Sequence, residues 1–216
     1  MKYMRRLPLL LAAPLLVACC AGAALAGTVT YTSYSVLNQE NVHLTDTALG
    51  VNNEYAGSGE IILAGTNTSG GSLGVYCVDI ADELQGSGSF TSGSTYTGSA
   101  ASQINALIYN ATPLLATNYD ASSALQMAIW EVEFGSALTV TPDNASEGAL
   151  ASQFMTNVSS GAWRADPTEQ LAFLQGVGGN QNQVYLQPVP EPLSLLLLAT
   201  GLIGLGAARR RGRSPR

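Results

Sequence analysis

The 216 residues are 46% hydrophobic but only 11% charged, under half the usual charged fraction of about 25%, and the length allows one domain plus targeting segments. Eight of the nine basic residues sit at the extreme ends, so residues 27–189 hold Arg164 alone against fourteen acids, a formal charge of −13. Such a surface repels phosphate backbones and excludes nucleic-acid binding. A single histidine and a single internal arginine also leave little for acid–base catalysis, so the chain reads as a binding or structural protein and not as an enzyme.

At the N-terminus, Lys2, Arg5 and Arg6 precede an apolar run over residues 7–17, and Ala24-Leu25-Ala26 forms a small-x-small site. This is the pattern of a secretory signal over residues 1–26, cleaved between Ala26 and Gly27. Leu16-Val17-Ala18-Cys19 also resembles a bacterial lipobox, which would place cleavage before Cys19 instead.

The body, residues 27–187, is rich in Gly, Ser, Thr and Asn. Alternation of β-branched or aromatic residues with small polar ones predicts strands over 28–36, 59–65 and 73–80, and Gly/Ser spacing predicts an exposed loop over 86–94. Helical periodicity follows over 100–109. It is strongest over 120–134, where Ala121, Ala124, Leu125, Ala128, Ile129 and Val132 form an apolar face, Asp120 stands at the cap and Gly135 at the end. A third helix is expected over 146–158, a short one after Pro167, and a closing strand over 184–186. The fold class is α+β with β dominant, pictured as a small β-sandwich or barrel with a helical insertion.

Once the signal leaves, Cys77 is the only cysteine, in an oxidising compartment where cysteines normally pair. It is either a small buried hydrophobe on a strand or a reactive group. Its surroundings are Gly74-Val75-Tyr76-Cys77-Val78-Asp79, and downstream stands Leu125-Gln126-Met127-Ala128-Ile129-Trp130-Glu131. Together, over about residues 70–135, these resemble the thioester domains of bacterial surface adhesins. The resemblance implies that Cys77 supplies the sulfur and Gln126 the acyl carbon of an internal thioester, formed with loss of ammonia and opened by amines on a partner. Trp130 can cover the bond or simply pack in the core. Residues 27–189 contain no lysine, which would spare such a group from self-coupling.

Other constellations are weaker. His43 and Cys77 can be drawn as part of a protease-like triad, but no protease signature surrounds Cys77. Asp143-Asn144-Ala145-Ser146-Glu147 offers oxygens to a cation, yet lacks EF-hand spacing and reads as a capped helix start. No metal and no cofactor is expected.

The C-terminal segment, residues 188–216, carries Pro190-Glu191-Pro192, an apolar run with a transmembrane helix expected over about 193–208, and Arg209-Arg210-Arg211. This order resembles the PEP-CTERM sorting signal. The resemblance implies export, transient anchoring in the inner membrane, and removal of the tail by an exosortase-type enzyme. The final location would then be the cell surface or an extracellular polysaccharide matrix. Two functions share that address: covalent attachment to amine-bearing surface ligands, or a non-reactive structural role in the exopolysaccharide or biofilm matrix.

Overall fold

The computed structural model describes residues 27–189. The signal with its Ala26 cleavage position, and the tail with Pro190, Glu191, Pro192 and the expected membrane helix, lie outside the described residues. Among the described residues no helix is long and apolar enough to cross a membrane.

The chain opens with β1 (Gly27–Tyr31) and a long hairpin of β2 (Ser33–Asp46) and β3 (Val51–Ala64), then β4 (Ser72–Cys77) and β5 (Gly88–Thr95). Two helices follow, α1 (Ala101–Ala111) and α2 (Ala121–Phe134), then β6 (Thr139–Pro142), α3 (Ala145–Ser159), β7 (Glu169–Gly176) and β8 (Gln183–Pro188). All strands pair antiparallel in one eight-stranded sheet of order β1-β5-β7-β8-β4-β3-β2-β6.

The expected sandwich or barrel is therefore replaced by a single open sheet, while the β-dominant α+β class stands. The physical reason is that the helices supply the apolar cover a second sheet would have given. Ile104 and Leu107 of α1, Leu125 and Ile129 of α2, and Phe154 of α3 join Leu63, Val75, Phe90 and Leu174 of the sheet in one buried cluster.

Residues 86–94, expected as a loop, instead form most of β5 from Gly88 onward. Its polar sequence is held from both sides, with Val29 opposite Phe90 in β1 and Phe173 opposite Ser94 in β7. Phe90 is fully buried and stacks on Tyr31 at 5.4 Å. The segment after Pro167 is strand β7, not a helix, because β5 and β8 flank it. The hairpin also runs well beyond its expected strands. A bulge between Leu37 and Glu40 interrupts it, where Asn38 takes a positive φ of 48°.

Helix ends follow local chemistry in part. Asn144 caps α3 by accepting from Ser146 N–H at 3.1 Å, and Gly135 ends α2 at φ 58°. Asp120 makes no cap bond to α2; its carboxylate accepts instead from the Ser146 hydroxyl at 2.5 Å, tying the starts of α2 and α3 together.

Candidate thioester site

Helix α2 is buried on all sides from Ala121 to Trp130, and not along one stripe as its periodicity suggests. Small residues make this possible: Ala121, Ser122, Ser123, Ala124 and Ala128 let the helix sink between the sheet, α1 and α3. Two hydrogen bonds fix its height on β3. Ser122 Oγ accepts from Glu60 N–H at 2.8 Å, and Ser58 Oγ donates to Ser123 O at 2.9 Å. Gly59 lies between them with φ +152°, and a Cβ there would stand 2.7 Å from Val36 Cγ1 and 2.8 Å from Leu37 O. Only glycine admits that approach.

This places Gln126, 1% exposed, against the end of β4. The β3–β4 ladder stops at Ile61–Val75, leaving the outward backbone groups of Cys77 without a strand partner on that side. The Gln126 carboxamide takes them both. Its Oε1 accepts from Cys77 N–H at 2.9 Å and its Nε2 donates to Cys77 O at 2.9 Å. The side chain thus completes the sheet where β3 ends, and residues 49 apart in sequence share one buried contact. It is fully enclosed, deeper than the edge of an amphipathic stripe would put it.

The Cys77 thiol is free and buried. It donates to Asp79 O at 2.8 Å and receives Asp79 N–H at 3.3 Å. Burial pushes its pKa up to about 12; the Asp79 N–H and the Trp130 indole oppose that rise without cancelling it. At neutral pH the sulfur keeps its proton. Trp130 Nε1 is buried and falls outside full hydrogen-bond geometry, yet is close enough to act on the sulfur. Trp130 therefore both packs in the core and walls the site.

The turn holding the sulfur is itself braced, by residues that the sequence reading did not single out. Asp79 Oδ1 accepts from Ala81 N–H at 3.0 Å and its Oδ2 from Asn182 Nδ2 at 2.7 Å, while Gln181 Nε2 donates to Asp79 O at 2.8 Å. Their signal in the sequence is the unbroken amide run Asn180-Gln181-Asn182-Gln183, which leads into the last strand. Cys77, Gln126 and Trp130 meet at the floor of a cleft of about 300 Å³. Tyr34 and Tyr55 stand at its walls, with Glu54, Asp82 and Glu83 among the lining acids.

The structure does not assemble the protease-like triad. His43 faces Asp143 at 3.5 Å and the Tyr55 ring, while the hydrogen-bond partners of Cys77 are Asp79 and Gln126. Among the described residues no group of three His, Cys, Asp or Glu side chains is arranged to hold a metal ion.

No curated protein matches the chain. Among solved structures, the N-terminal domain of the Streptococcus pyogenes pilus tip adhesin Cpa is similar at 13% identity and TM-score 0.40, over 74% of this chain and 98% of that one. Residues 74–162, from β4 through α3 and including both Cys77 and Gln126, match the model of the thioester domain family.

Proposed function

We propose that Cys77 and Gln126 form an internal thioester through which this exported protein attaches covalently to amine-bearing partners. One observation carries the proposal: a fully buried glutamine carboxamide is held in both directions by the backbone of the one cysteine among the described residues. The sulfur attacks Gln126 Cδ, the C–N bond breaks, and the thiol proton leaves with the departing nitrogen as ammonia. Cys77 N–H already lies 2.9 Å from Oε1, where negative charge gathers as the carbonyl carbon becomes tetrahedral. An incoming primary amine then forms an amide at the same carbon and returns the sulfur to a thiol. The warhead is used once, so the protein acts as a covalent binder and not as a turnover enzyme.

Intact mass tests this. The purified protein is expected to weigh one ammonia less than its sequence, and methylamine treatment should replace that loss with one amine adduct and a free thiol. Cys77→Ala and Gln126→Ala should show full mass and no adduct. Full mass in the wild type, with no methylamine adduct, would leave Gln126 as a sheet-completing amide and favour the passive matrix role.

The address is part of the same proposal. Its support is the ordered Pro190-Glu191-Pro192, apolar run and arginine cluster, which fits an inner-membrane precursor released by an exosortase-type enzyme to the surface or an extracellular polysaccharide layer. Replacing Pro190, Glu191 and Pro192 with alanine is expected to hold the full-length precursor in the membrane fraction. Identical fractionation of wild type and variant, both with the tail intact, would make the tail a plain anchor.

A further inference from the structure

A second cleft, of about 460 Å³, lies behind the first. Side chains alternate across a strand, so Glu60 of β3 and Tyr76 of β4 face away from Gly59, Ile61 and Cys77. The former pair lines the rear cleft and the latter three line the front one. Glu60 and Tyr76 are joined at the rear by Tyr109, Glu169 and Tyr185.

The chemistry of these groups is one-sided. Among the described residues neither carboxylate has an ion-pair partner, and the lining contains no Lys, Arg or His. Glu60 is half-buried, and its carboxyl is held above the ordinary range because burial strips water from it. Gly74 leaves room for that carboxylate: a Cβ on Gly74 would stand 2.3 Å from Glu60 Oε1. The Tyr76 hydroxyl is buried, on a residue 2% exposed, and has no hydrogen-bond partner among the described residues. Thr112 lies close to it without full hydrogen-bond geometry, its own hydroxyl donating to Ile108 O at 2.6 Å. Tyr109 is 46% exposed at the mouth. Tyrosine faces beside uncompensated carboxylates attract cations through the ring quadrupole and by direct charge.

We propose that this rear cleft is a non-covalent site for a small organic cation of the alkylammonium class, separate from the Cys77–Gln126 site. Charge complementarity selects that occupant over a neutral sugar: a cation neutralises two partly desolvated carboxylates, which a sugar leaves uncompensated.

Choline and its neutral isostere 3,3-dimethylbutan-1-ol test the site, because choline carries no N–H to acylate and the two differ mainly in charge. With the intact protein, followed by calorimetry and by tyrosine ring signals in NMR, choline should bind saturably and the isostere about tenfold more weakly or worse. Glu60→Gln and Tyr109→Ala should each weaken choline binding by about fivefold or more. The Tyr109 ring is exposed, so its removal probes the site without opening the core. Equal binding of choline and isostere, choline binding unchanged in Tyr109→Ala, or binding of a neutral oligosaccharide such as cellobiose without choline binding would each overturn the assignment.

Discussion

Glu147 is the residue whose chemistry is least expected from its place in the chain. It lies in the first turn of α3, where a carboxylate would ordinarily face water and favour the helix N-terminus. Here it is fully buried, both oxygens lack hydrogen-bond partners among the described residues, and Glu40, Asp120 and Asp143 add their charges nearby. Burial first, and those three acids second, push its pKa up to about 7 from 4.5. The sign follows directly. The folded state holds the proton more tightly than the unfolded chain, so this group's contribution is full below about pH 4.5 and is lost as pH rises towards about 7. Unfolding in urea should therefore show stability falling across that window, and Glu147→Gln should flatten the fall. At pH 8 the variant is expected to be more stable than wild type by roughly 1–3 kcal/mol. A variant with an unchanged pH profile would mean that the charged form is satisfied in the fold. Cys77 shows the same physics on a thiol: burial suppresses its ionisation, so slow alkylation of the folded protein does not distinguish a thioester from a shielded thiol. Mass distinguishes them.

At the scale of elements, the site depends on how closely α2 approaches β3. Leu125, Ile129 and the terminating Gly135 made the helix legible in sequence, and strand character around Cys77 was legible from its apolar neighbours. The depth of α2 was not, because small residues such as Ser122 and Ser123 read as a polar face until the sheet stands against them. Nor was β5, whose glycines, serines and threonines carry strand form only because β1 and β7 present backbone partners from distant parts of the chain. Gly59 is the element-level control. Gly59→Ala forces an L side chain into φ +152° and against Val36 and Leu37. It should destabilise the domain by roughly 1–3 kcal/mol in chemical denaturation. It should also slow methylamine coupling by displacing α2. If coupling is unchanged although stability falls, the β3 contact does not set the position of Gln126.

Across the whole molecule, charge sets who approaches. Residues 27–189 carry −13, and Glu54, Asp82 and Glu83 line the front cleft. Exposed charges act over about 10 Å at 0.1 M salt, so protonated amines should be drawn towards the cleft at low ionic strength. Coupling of a diamine is expected to slow several-fold between about 0.02 M and 0.5 M salt, while coupling of neutral hydroxylamine should hardly change. Equal salt dependence for both would locate the steering elsewhere. Composition alone determined this charge, because side-chain charge needs no fold to be counted. Local pattern also determined the helix bearing Gln126 and the strand bearing Cys77, since periodicity and a helix-ending glycine act over a few residues. Only the tertiary structure decided that one open sheet replaces a sandwich, that Gln126 completes β4 where β3 ends, that Asn182 and Gln181 brace the turn beneath the sulfur, and that Glu147 is buried among acids. Each of these joins residues far apart in the chain, and such contacts are settled by which surfaces remain to be covered once local elements have formed.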